Sequence, residues 1–139
     1  MVKETNDEHP AIAEALDEIE SALMDSRGLV PHQRRLAFCI SSGAAILVER
    51  FLKKKGVLKS GVTVNHLWLK KSPANILKML SEKMTSSPET VANLSAIIHK
   101  AHLLEHERDA LAYGKDVDEK TLREKIALFL ELKKEAEHA

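Results

Sequence analysis

Apolar residues recur at helical spacing in five stretches of the chain, and no stretch alternates long enough to build a sheet. The first runs from about Pro10 to Arg27 and stops at Gly28. Ile12, Leu16, Ile19 and Leu23 lie on one face, and Pro10 suits a first helical position. The second begins near Pro31 and ends at Gly56, with a stripe of Leu36, Ile40, Gly43, Leu47 and Phe51. Its small-residue run Ser41-Ser-Gly-Ala-Ala45 predicts close approach of a neighbouring helix, because a mid-helix Gly otherwise costs about 1 kcal/mol against Ala. A loop over 56–72 follows. Its Val62-Thr-Val64 is too short for a sheet, and Trp68 is expected to pin the loop onto the helices. Ser72-Pro73 opens a third helix to about Met84, and Ser87-Pro88 a fourth to about Tyr113-Gly114. Asp116-x-x-Glu119 reads as a capping box for a fifth, with Leu122, Ile126, Phe129, Leu130 and Leu132 on its apolar face. The expected fold is all-α: an antiparallel up-and-down four- to five-helix bundle, in one domain over residues 1–139.

Composition narrows the class without naming a function. The 139 residues are 44% hydrophobic and 30% charged, which fits a folded chain with one core. A single cysteine, Cys39, excludes a disulfide framework and a cysteine-based zinc finger, and points to a reducing cytoplasm. No apolar run approaches the ~20 residues of a spanning helix, so no membrane partner is expected. Phosphate loops of the G-x-x-x-x-G-K type and the nucleophile elbow G-x-S-x-G are both absent, and no cofactor is expected.

Charge is balanced overall and strongly segregated. Residues 1–25 carry eight acids against Lys3, and residues 26–87 carry twelve Lys and Arg against Glu49 and Glu82. Two consequences are open: the acidic helix packs beside the basic one or pairs with it in a dimer, or Arg50, Lys53, Lys54, Lys55, Lys59, Lys70 and Lys71 form a surface for a polyanion.

The fourth helix carries the candidate chemistry. On a helical wheel, Glu105 and Arg108 fall among Leu94, Ile97, Ile98, Ala101, Leu104 and Leu111, where aliphatic residues belong. Opposite charges on such a face either pair with each other as a buried structural bond or mark a cleft or subunit interface. Beside them runs a polar stripe of Ser95, His99, His102, His106, Asp109 and Tyr113. His102-x-x-Glu105-His106 also spells the inverted zincin pattern, two histidines for zinc and a glutamate as base. Only 33 residues follow His106, too few for that enzyme class's third ligand and substrate domain, so no metal is expected.

The segment Glu105-His-Glu-Arg108-Asp109-Ala-Leu-Ala-Tyr113-Gly114 resembles the signature of the HEPN family (higher eukaryotes and prokaryotes nucleotide-binding). That signature is an Arg, then a polar residue, then a His with four to six residues between it and the Arg, often with an acid one turn before the Arg. Glu105, Arg108 and Asp109 match it, late in a long helix of a bundle; positions 113–115, where the motif His belongs, hold Tyr113, Gly114 and Lys115. The resemblance implies a homodimer with Arg108 at the cleft, and the apolar Leu103 on the helix's other face hints at that second contact. Active members are similar to metal-independent ribonucleases, some of them toxins, and a cognate antitoxin or nucleotidyltransferase protein is the implied partner. Tyrosine titrates near 10 and is a poor base at neutral pH. The expected function is therefore RNA or nucleotide binding around Arg108 with lost or weak catalysis. The alternatives are an active endoribonuclease in which His102 or His106 replaces the missing base, and a structural dimer module.

Overall fold

The computed structural model describes residues 8–138, and within them the chain is all α-helical, with no strand. Six helices are formed: α1 Pro10–Met24, α2 Gln33–Lys54, α3 Pro73–Lys83, α4 Leu94–His106, α5 Arg108–Tyr113 and α6 Glu119–His138. Short 3-10 turns stand at Val30–His32, His66–Lys70 and Pro88–Thr90. Helix α2 is the centre of the bundle, with α1, α4, α5 and α6 all packed on it. Phe51, Phe129, Leu47, Leu52, Ile97 and Ile98 are fully buried in one contiguous core. No helix among the described residues is long and apolar enough to cross a membrane.

Small residues set the central contact. A Cβ added at Gly43 would stand 2.9 Å from the Phe129 ring and 3.6 Å from Ala15 Cβ, so α1 and α6 both approach α2 at this glycine. Glycines and a capping serine shape the turns between helices. Gly28 and Gly56 adopt φ of 93° and 70°, a conformation other residues rarely take. The Ser72 hydroxyl accepts from Asn75 N at 3.3 Å and caps α3, with Pro73 at its first position. Val62–Val64 forms no strand; the loop's one backbone pairing is an isolated antiparallel bridge between Leu58 and Met84. Trp68 packs half-buried against the core.

Four expectations need correction. Helix α1 stops at Met24, because Asp25 turns back to accept from Arg27 N at 2.8 Å. Leu23 at 49% and Leu130 at 41% exposure lie off the buried faces of their helices. The capping box is shifted: Asp118 accepts from Thr121 N at 2.8 Å, freeing Glu119 to reach across the bundle. Its Oε2 accepts from Leu29 N at 2.6 Å and Val30 N at 3.2 Å, satisfying the turn that opens α2. Finally, the fourth helix is not continuous from Pro88 to Tyr113. Pro88–Thr90 is a separate 3-10 turn, Asn93 sits in the left-handed region at φ 70°, and the helix breaks again at Glu107.

Among the described residues, the acidic first helix meets the start of the basic second at an ion cluster around His32. His32 is buried between α1 and α2, with Nδ1 2.7 Å from Glu18 Oε2 and Nε2 2.8 Å from Asp25 Oδ2. Carboxylates only accept, so each ring nitrogen donates to its closer partner and the two acids favour the imidazolium, against the Arg35 Nη2 that stands 3.2 Å from Nδ1. Its pKa is accordingly raised, by the Glu18 bond first and the Asp25 bond second. Arg35 shares Glu18 at 3.1 Å, and Arg27 holds Asp25 at 2.8 Å and pulls its carboxyl far below the usual range.

Candidate functional site

The site is built where the His66–Lys70 turn lies against α4 and α5. The turn is prepared locally: Asn65 accepts from Leu67 N at 2.8 Å, and Glu49 of α2 accepts from Val64 N at 2.7 Å to fix the entering strand of chain. Leu69 is buried and anchors the turn to the core. Three polar bonds then tie it to consecutive turns of α4 and α5. His66 Nδ1 lies 3.2 Å from Glu105 Oε2, the Leu69 carbonyl 2.8 Å from His102 Nδ1, and Lys70 Nζ 3.0 Å from Asp109 Oδ2.

Glu105 is a fully buried carboxylate, and it does not pair with Arg108. Its Oε1 accepts from the Ser41 hydroxyl of α2 and its Oε2 from His66. A carboxylate in the core costs several kcal/mol unless its oxygens are filled, and these two donors fill them. Ser41 thus explains part of the small-residue run on α2: it supplies a hydroxyl where the acid enters. The His66 ring is 34% exposed, and Nδ1 alone is bonded among the described residues, so its other nitrogen faces outward.

Arg108 is placed differently because the helix breaks just before it. The break turns α5 onto α2, where the guanidinium carbon stands 4.8 Å from the centre of the Phe38 ring. Arg108 Nη1 donates to Asp109 Oδ1 at 2.9 Å, and the other oxygen of Asp109 takes Lys70. One carboxylate thereby holds two cations side by side. The Lys70 bond first, and Arg108 after it, keep the Asp109 carboxyl below its ordinary pKa, so it stays anionic into mild acid. The net charge of the trio is +1, and a guanidinium has five N–H donors, of which Asp109 occupies one. Tyr113 meets Phe38 edge-on, centroids 5.9 Å apart at 75°, and is 71% exposed.

The end of α5 is held from α2. Buried Gln33 donates to the Leu111 and Lys115 carbonyls, both at 3.0 Å, and accepts from Val117 N at 2.8 Å. Gly114 closes the helix against the Ala110 carbonyl, where a Cβ would collide. Neither Gln33 nor His66 carries a sequence signal of its own. The buried acid at 105 demands a partner, but its wheel position does not say that a loop histidine 39 residues away supplies it.

The remaining sequence candidates divide into near and far. His102 and His106 stand on α4 with ring centres 5.3 Å apart. Glu105 is aimed away from them into the core, so the zincin arrangement of two histidines and a shared general base is not assembled. Lys71 is exposed next to Lys70. Lys53 and Lys54 lie about 22 Å along α2 from Phe38, at 1.5 Å per residue. There Lys53 bonds Glu49 at 2.9 Å, Lys54 the Glu137 carbonyl at 2.7 Å, and Lys55 stands over Phe51. Arg50 belongs to the same end of α2, and Lys59 bonds the Glu82 carbonyl at 2.9 Å. A groove of about 1090 Å³ runs between α3 and the start of α4, lined by Leu77, Lys78, Met84, Pro88 and Ser95, and is separate from Arg108.

No family model matches the chain, and no curated protein or solved structure matches it. What the site does is read from its own geometry: two adjacent cations with unused donors, an outward imidazole and an exposed aromatic ring, on elements tied together by buried bonds.

Proposed function

We propose that this is a HEPN-like helical protein that binds RNA or a nucleotide at Arg108, in a cleft between two copies, with lost or weak catalysis. The observation that carries the reading is the Phe38–Arg108–Asp109–Lys70 arrangement. A guanidinium stacked on a ring and held by a neighbouring carboxylate is oriented before a ligand arrives, which lowers the ordering cost of binding a phosphate. Tyr113 beside it offers a face on which a base stacks. Phe38, Leu67, Leu103 and Tyr113, large and exposed, all lie on the site-bearing elements, and they support the second copy.

Fluorescence anisotropy with a labelled single-stranded RNA tests this. Arg108→Ala is expected to weaken binding about tenfold or more, as loss of a charge-assisted phosphate contact should. Affinity of the unsubstituted protein is expected to fall as salt rises. Equal affinity of the two proteins removes Arg108 from the site.

A second reading, an active metal-independent endoribonuclease, is favoured by one observation: a buried glutamate holds Nδ1 of His66 and turns its other nitrogen outward. A carboxylate-oriented imidazole is a competent proton acceptor for a 2′-hydroxyl. Cleavage in the presence of a chelator, abolished by His66→Ala with RNA binding retained, would replace the binding reading with this one.

A further inference from the structure

The two histidines at the end of α4 are imidazoles that anion binding at Arg108 does not use. His102 is half-buried, and its Nδ1 lies 2.8 Å from the Leu69 carbonyl. A carbonyl only accepts, so Nδ1 carries the proton and the neutral ring offers Nε2 as a lone pair. A ring N–H given to a backbone carbonyl is the outer bond that metal-bound histidines ordinarily make, because it fixes both tautomer and orientation. His106 is exposed one turn later, with its ring centre 5.3 Å from that of His102 and the planes 32° apart.

That spacing is informative. Two imidazole nitrogens at about 2.0–2.1 Å from a tetrahedral ion, each ring centre about 1.2 Å further out, put the ring centres about 5.2 Å apart. We propose that His102 and His106 form an open two-imidazole site for a borderline divalent transition-metal ion, Zn²⁺ first. Neutral imidazole favours this class over Mg²⁺ and Ca²⁺, which demand oxygen ligands, and Ni²⁺ and Cu²⁺ share the preference. Among the described residues no group of three or more His, Cys, Asp or Glu completes a closed set, so water or a ligand oxygen fills the other positions. Glu105, the general base of the zincin pattern, is committed to Ser41 and His66 and does not serve such a water. The inference does not depend on RNA binding.

Isothermal titration of the full chain with Zn²⁺, in a buffer that does not chelate, tests it. One Zn²⁺ is expected per chain. His106→Ala and His102→Ala should each weaken it at least about tenfold, since losing a ligand costs no less than losing a ligand's outer partner. His99→Ala, also on the stripe, should leave affinity within about threefold, and Mg²⁺ should give no heat. His106 is exposed, so its replacement tests the site without disturbing the core. Absence of Zn²⁺ binding, binding that persists in the His102→Ala, His106→Ala double variant, or equal dependence on His99 would overturn the proposal.

Discussion

Among the described residues two histidines meet carboxylates, and they do so in opposite ways. His32 is enclosed between α1 and α2, and each of its nitrogens has a carboxylate; Arg35 and Arg27 complete the neutralisation. His66 has one nitrogen on a buried carboxylate and the other directed out, and Lys70 of the same turn shares Asp109 with Arg108. In the first cluster the ring itself is saturated, and both of its nitrogens are spent on joining α1 to the start of α2. The second has donors left over at the surface, although its inner half is just as firmly tied. Unspent hydrogen-bonding capacity on a rigid support is what a ligand site needs, and a ring with both nitrogens spent has none to offer.

The sharpest way to exploit the open cluster is to add the imidazole that the resemblance expects. Tyr113→His places it at the end of α5 beside Phe38 and Arg108. Metal-free RNA cleavage, followed on gels near pH 6–7, is expected to rise about 100-fold, the lower end of what a positioned acid or base contributes. The gain should vanish with Arg108→Ala and survive a chelator. A folded Tyr113→His protein that cuts no RNA breaks the family reading of this position.

The closed cluster should show itself in stability. His32→Ala removes the ring that joins α1 to α2, leaving Glu18 with Arg35 and Asp25 with Arg27, and is expected to lower Tm by roughly 5 °C or more in a thermal melt. An unchanged Tm would show that the ring does not join the helices.

Titration sharpens the same contrast. The His32 pKa is raised above its ordinary 6.5, so its contribution is complete below about pH 6.5 and is lost as pH rises through the folded-state value. Asp25 is lowered from 3.8, so its contribution is complete above about pH 4 and is lost only in stronger acid. The Tm difference between the unsubstituted protein and His32→Gln should therefore be greatest between about pH 4 and 6.5 and shrink above it. A difference that stays constant to pH 9 contradicts the imidazolium.

Most of the fold is legible in the sequence because its signals are local. Pro10, Ser72-Pro73, Gly28 and Gly56 act on their own turns, and Gly43 needs only a neighbour to approach. The early stop of α1 at Asp25 is local, but the failures that shape the site are not. Glu119 looks like half of a capping box until its carboxylate crosses to Leu29 and Val30. Glu105 and Arg108 look like a pair until the helix breaks at Glu107, where neither Gly nor Pro marks the break. Glu105 is legible as an anomaly on an apolar face, yet Ser41 and His66 lie 64 and 39 residues away, beyond the reach of any periodicity.

The smallest expected effect belongs to the lysines at the end of α2. Replacing Lys53, Lys54 and Lys55 with Gln should weaken RNA binding less than Arg108→Ala does, since they lie far along α2 and two of them are bonded within the fold. Each phosphate contact they do make should appear as a drop of about 0.7 in the salt slope of single-strand binding. A larger loss than Arg108→Ala would move the site to that end of the bundle.

One measurement reads both clusters at once: nitrogen-15 NMR of the histidine rings and the Arg108 guanidinium while single-stranded RNA is added. Before RNA, His32 should show two protonated ring nitrogens. On titration, Arg108 Nε and the His66 ring should shift in step with binding while His32 stays where it was. Movement of His32 with no movement at Arg108 and His66, or RNA bound with all three unmoved, would contradict the claim that the open cluster is the binding site.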